Sequence, residues 1–285
     1  MWTEDLAAWY EERGRHALPW RLTRDPWAVL VSEVMLQQTS VARVLPRWER
    51  FLDRWPSPQA CAAATLDEVL REWDGLGYPR RAAALHRCAT AVAGDGWPRD
   101  EAGLRALPGI GAYTARALLA FAFDAEVAPP RDVNLGRVAA RAALGVEPHE
   151  VPPRQLDAVL AQSRPAHVSP REHAFALFDL GATVCTARRP RCTDCPLQGC
   201  ASRPRLQDGA AVSAPRRQAP YAGSMRQLRG AVLRALLGAG DPPQDWEELR
   251  ARVAHAPASA RPGALEQAVE GLRRDGLLGS PWPAG

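Results

Sequence analysis

The chain has 285 residues, 46% of them hydrophobic and 24% charged, which is enough for a sizeable core and two domains. No apolar run reaches the length of a membrane span, since even AYTARALLAFAF is interrupted by Arg116, and MWTEDLAAWYEERGR at the N-terminus is too acidic for a signal peptide, so a soluble cytoplasmic protein is expected. The formal charge of +4 resides in residues 201–285, with 12 basic against 8 acidic side chains, and all 36 basic residues are arginine, which excludes any chemistry that needs a lysine amine.

Asp25 and Pro26 form an N-cap and first-turn pair for a helix through WAVLVSEVMLQQTS, residues 27–40. On that helix Glu33 shares its face with Val29, Leu30, Leu36 and Gln37, three of them apolar and none cationic, so the carboxylate has no polar face to occupy. DEVLREW, RRAAALHRCATAVA and YTARALLAFAF repeat apolar residues at helical spacing, Cys61 and Cys88 read as small core residues, and no strand alternation stands out. The fold class is mostly α.

In LPGIGAYTARAL, residues 107–118, Gly109 and Gly111 precede a helix. They suit either a tight turn whose bare N–H groups meet a phosphate or an ordinary helix–helix turn. Asp132 in PPRDVNLGRVAARAAL stands just before another helix, as an N-cap or as a carboxylate placed to oppose positive charge in a substrate, with Asn134 two positions on. CTARRPRCTDCPLQGC carries Cys185, Cys192, Cys195 and Cys200 with six, two and four residues between them. Without a secretion signal, such crowding favours a metal site over disulfides, and four thiolates suit zinc or an iron–sulfur cluster alike. Residues 201–220 read as a Pro- and Arg-rich linker, and residues 221–285 as a small basic unit of three short helices.

Taken together, SEVMLQQTSVARVLPRWERF, EWDGLGYPRRAAALH, LPGIGAYTARALLAFAF, RDVNLGRVAAR and DLGATVCTARRPRCTDCPL resemble the helix-hairpin-helix DNA glycosylases, and within them the MutY-type adenine glycosylases, over about residues 15–200. The resemblance implies a two-lobed helical fold, with a six-helix lobe over 25–127 and a cluster lobe from 1–24 and 128–200, and DNA in the cleft. It implies that Glu33, its pKa raised by burial, protonates adenine, and that Asp132 stabilises the oxocarbenium-like sugar with help from Asn134. Trp20, Arg21 and Leu36 match positions around the adenine pocket. Gln38 and Tyr78 match residues that wedge into the base stack, with Thr39 beside them. Gly109 and Gly111 fall to the DNA-binding hairpin. By the same matching the four cysteines hold a 4Fe–4S cluster, although the family's last spacing is five residues and here it is four.

Tyr113 occupies the place of the Schiff-base lysine of the endonuclease III type, so the resemblance implies a monofunctional hydrolase without strong lyase activity. Its implied partner is double-stranded DNA carrying adenine opposite 8-oxoguanine or guanine, bound by a monomer. Residues 221–285 are too few and too helical for the MutT-like domain that many members carry, and better suit a small winged-helix-like unit. The alternatives are a glycosylase for mismatched thymine or oxidised pyrimidines, and a non-enzymatic cluster-bearing DNA-binding protein, for which the joint presence of Glu33 and Asp132 has no use.

Overall fold

The computed structural model describes residues 2–209, 212, 219–238 and 240–278, and among them every regular element is a helix. The chain divides into two compact units, one of Met1–Glu33, Pro98–Ala106 and Ile110–Arg216, the other of Val34–Trp97, Leu107–Gly109 and Arg217–Gly285. This division differs from the expected lobes in two respects. Residues 25–33, 98–106 and 110–127 belong with the cluster region, and the C-terminal helices belong with the second unit instead of standing apart.

The composition of helix Ala112–Phe121 explains the first difference. It buries Thr114, Ala115, Ala117, Leu118, Leu119, Ala120 and Phe121, and an apolar surface that wide must be covered on several sides. Phe121 meets Phe175 of helix Pro170–Thr183 with ring centroids 4.5 Å apart. Arg171 from the same helix closes the end of Ala112–Phe121 by donating to the Phe121 carbonyl, and reaches the Arg21 and Thr23 carbonyls at 2.7 Å each. Helix Trp2–Arg13 lies along Pro170–Thr183 as well. The Glu33 helix, Pro26–Leu36, starts as expected, with the Asp25 carboxylate accepting from the Trp27 and Ala28 amides at 3.2 and 3.0 Å.

In the second unit, helix Arg80–Asp95 is central and buries Ala82, Ala83, Leu85, Cys88, Ala89 and Val92. Against it pack Pro58–Ala62, bearing the fully buried Cys61, and Leu66–Glu72, whose start is set by a capping box between Thr65 and Glu68. Three C-terminal helices follow, Met225–Leu237, Trp246–Arg252 and Ala264–Arg274, in the number expected. No strand accompanies them among the described residues, so the wing of a winged helix is not seen, and residues 279–285 lie outside the described residues. Met225–Leu237 lies on Leu66–Glu72: Arg71 donates to the Leu237 carbonyl at 2.7 Å, and Arg234 grips Asp74 through two hydrogen bonds of 3.0 and 2.9 Å. Of the basic residues of this unit, Arg229 is ion-paired with Asp275, and Arg226 donates to the Ala219 carbonyl. Arg216 and Arg217 of the Pro- and Arg-rich linker lie outside the described residues. No described helix is long and apolar enough to cross a membrane.

Candidate active site

Glu33 sits on its helix among buried residues and is itself 7% exposed. Its carboxylate accepts a hydrogen bond of 2.8 Å from the Tyr113 hydroxyl. Burial pushes its pKa up to about 7, the Tyr113 hydrogen bond opposes that rise, and the negative charge of Asp132 adds to it. Burial likewise drives the Tyr113 phenol well above its usual range, so the phenol stays a donor. The misfit carboxylate is therefore an acid that keeps its proton close to neutral pH.

Asp132 has a different setting. As the N-cap of helix Val133–Ala139, one carboxylate oxygen accepts from the Asn134 and Leu135 amides at 2.8 Å each, and the other accepts from the Asn134 side-chain amide at 2.8 Å. Burial raises its pKa, and the three hydrogen bonds pull the other way. The Asn134 side-chain oxygen accepts in turn from Arg137 at 2.8 Å, and the same guanidinium reaches the Gly181 and Cys185 carbonyls at 2.8 Å. Close approach of the two helices requires glycine at 181, where a Cβ would stand 2.9 Å from that of Asn134. Asp132 is thus both the expected N-cap and one end of a continuous polar chain leading to the first cysteine.

Around Cys185 the four cysteines come together. Cys185, Cys192, Cys195 and Cys200 line a common pocket, walled by Val138, Ala142, Val184 and Leu206, and none is in a disulfide. The short last spacing does not exclude Cys200, because hydrogen bonds from the Ala201 and Ser202 amides to the Ala142 and Arg141 carbonyls, both 3.0 Å, tie its strand of chain to the cavity wall. Arg141, 1% exposed, forms a two-pronged ion pair with Glu147 at 2.9 and 3.0 Å and directs its remaining nitrogen toward the Thr186 carbonyl at 2.8 Å and the Cys185 sulfur at 3.8 Å. Four cysteines lining one largely apolar-walled pocket, with guanidinium groups nearby, are the donor set that suits a thiolate-ligated, anionic iron–sulfur cluster.

The remaining expected residues fall into two groups. Trp20 is buried, and Arg21 is committed to Asp179 through hydrogen bonds of 2.7 and 2.8 Å, with its guanidinium 4.5 Å from the Phe175 ring. Asp179 also binds Arg15. Burial raises its pKa, but these hydrogen bonds and charges outweigh burial and hold it below the usual carboxylate range. Gly111, also in this unit, caps Ala112–Phe121 with no side chain, and a Cβ there would meet nothing within 4 Å, so the helix N-terminus is uncovered.

The second group lies in the other unit. Gly109 takes φ +77°, and a Cβ there would lie 2.6 Å from that of Ala84, so conformation and space both demand glycine. Leu36 ends the Glu33 helix, and Gln38 and Tyr78 are exposed with left-handed backbones at φ 55° and 50°. Thr39 is buried, its hydroxyl shared between the Gln37 and Leu76 carbonyls at 3.3 and 3.4 Å, and so braces these loops from inside. Sequence reasoning missed Arg81, Arg137 and Asp179. Each acts through partners distant in sequence, and the one signal available was a charged residue on an otherwise apolar helical face.

Residues 31–153 match the HhH-GPD superfamily of base excision DNA repair proteins, and residues 185–199 match the iron-sulfur binding domain of endonuclease III. An adenine DNA glycosylase of Mycolicibacterium smegmatis is 45% identical over 278 residues, covering 96% of this chain and 91% of that protein. One from Mycobacterium tuberculosis is 47% identical over 247 residues, 84% of this chain and 79% of its own length. Among solved structures, a thermostable thymine-DNA glycosylase superposes with a TM-score of 0.65 at 25% identity, covering 71% of this chain and 95% of that one. The cysteine loop is accordingly a 4Fe–4S site.

Proposed function

The chain belongs to the adenine DNA glycosylases of the helix-hairpin-helix base excision repair superfamily, and we propose that it excises adenine lying opposite 8-oxoguanine or guanine in duplex DNA, then stops at the abasic site. Glu33 donates its proton to the adenine ring, turning the base into a neutral leaving group. Asp132 is a fixed anion facing the positive charge that builds on the sugar as the glycosidic bond lengthens. Because its oxygens are already held by three N–H groups, little reorganisation is needed at that moment. Asn134 keeps the Asp132 carboxylate in place, and Tyr113 orients that of Glu33. A water molecule completes the hydrolysis.

The absence of lysine supports a monofunctional reaction, since no side-chain amine is available to form a Schiff base with the sugar. The cluster, when bound, supplies a rigid, redox-capable anchor for the loop. Arg137 connects that loop to Asn134 by donating to the Cys185 carbonyl and to the Asn134 side-chain oxygen. Gln38 and Tyr78 enter the base stack as adenine leaves it, and the uncovered N-terminus of Ala112–Phe121 receives a phosphate.

The observation that carries the reading is Glu33 itself: a carboxyl buried on an apolar helix, raised to about 7 and held by a phenol. The test is release of free adenine, under single-turnover conditions, from duplexes with adenine opposite 8-oxoguanine, guanine or thymine, with thymine opposite guanine as a further substrate. Adenine release from the first two is expected, with no covalent adduct trapped by borohydride. Release of thymine in place of adenine would move the chain to the thymine branch, and efficient trapping would overturn the monofunctional mechanism.

A further inference from the structure

Arg81, at the start of helix Arg80–Asp95, carries a charge that no carboxylate pairs among the described residues. Its guanidinium is surrounded by carbonyls. One terminal nitrogen donates to the Val34, Met35 and Gln37 carbonyls at 2.7, 3.3 and 2.5 Å, at the C-terminal end of the Glu33 helix, where unpaired carbonyls and the helix dipole favour a cation. The other donates to the Leu76 and Gly77 carbonyls at 3.0 Å each and to the Thr39 hydroxyl at 3.4 Å. The plane lies 5.4 Å from the Tyr78 ring centroid and 5.5 Å from that of Trp73. Its Nε is buried without a partner, and burial pushes the group down to about 10, which leaves it charged at neutral pH.

The positions of those acceptors are informative. Gln37 and Thr39 flank Gln38, and Leu76 and Gly77 precede Tyr78, whose own carbonyl accepts from the Arg81 amide at 2.9 Å. Gln38 and Tyr78 are two of the three non-glycine residues with positive φ among those described, a conformation that persists only where neighbours enforce it. We infer that Arg81 is a positioning residue that uses the two prongs of one guanidinium to lock the Gln38 and Tyr78 loops into a single preformed wedge. The inference rests on the proposed wedge role of those two residues. Lysine cannot replace it, because a single ammonium lacks the fork that reaches both loops.

The test uses the full-length, cluster-loaded protein in a Glu33→Gln background, which leaves the substrate uncleaved, and a duplex with adenine opposite 8-oxoguanine and 2-aminopurine beside the 8-oxoguanine as a reporter of unstacking. Arg81→Lys and Arg81→Met are expected to raise Kd about tenfold and to abolish the fluorescence rise, with cluster absorbance and circular dichroism unchanged. Adding Arg81→Lys to a Gln38→Ala/Tyr78→Ala variant should then change nothing further, since the clamp has no wedge left to hold. A full fluorescence rise in Arg81→Lys, when Gln38→Ala/Tyr78→Ala has lost it, overturns the clamp and leaves the wedge standing. A full rise in Gln38→Ala/Tyr78→Ala overturns the wedge and the clamp with it. Failure of both Arg81 variants to fold would assign Arg81 to general stability instead.

Discussion

Glu33 and Asp132 are the same functional group in opposite surroundings. Glu33 lies on an apolar helix face and, among the described residues, is held by one hydroxyl; Asp132 caps a helix and accepts from three N–H groups. Burial raises both, but at Glu33 it is opposed by the single Tyr113 hydrogen bond and the Arg21 charge and the pKa reaches about 7, whereas at Asp132 three N–H donors oppose it. The lesson is that the number of donors given to a buried carboxylate sets how strongly burial is opposed, and the proposed division into a proton donor at Glu33 and a fixed anion at Asp132 rests on that difference.

Three experiments would break or sharpen this contrast. The largest effect is expected from Glu33→Gln, which preserves shape and removes the proton: single-turnover adenine release should fall by roughly 10²–10⁴-fold with DNA affinity retained, and a near wild-type rate would end its role as the acid. Asp132→Asn comes next. Asparagine still caps the helix, so melting temperature and cluster absorbance should hold, while loss of the anion should slow release by about 10²-fold; a variant that is slow only because it is partly unfolded would reduce Asp132 to a cap. The smallest change is a displaced pH profile. With Glu33 near 7, the rate should be level in mild acid and decline by about tenfold per pH unit above that value. Since the Tyr113 hydrogen bond favours the ionised form of Glu33, Tyr113→Phe should let Glu33 keep its proton to higher pH and move the alkaline limb upward. A limb that stays in place or moves to lower pH would show that some other group sets it.

The sequence by itself determined the local structure and the identity of the chemistry-bearing residues. Asp25 and Asp132 were readable as N-caps because a capping carboxylate acts on amides two or three residues away, and Glu33 stood out because helical periodicity alone places it on an apolar face. The three C-terminal helices and the crowded cysteines were legible for the same reason. Assembly was not. The C-terminal helices settle on Leu66–Glu72, where Arg234 meets Asp74, 160 residues away, and a Pro- and Arg-rich linker carries no trace of such a pairing. Likewise Arg81, Arg137 and Asp179 looked like ordinary charges on helices, because a guanidinium's role is set by carbonyls and carboxylates supplied by other segments. Tertiary structure alone decided which loops Arg81 joins, which carboxylate immobilises Arg21, and how far burial lifts Glu33, since desolvation and hydrogen-bond geometry exist only once distant parts of the chain have been packed around a group.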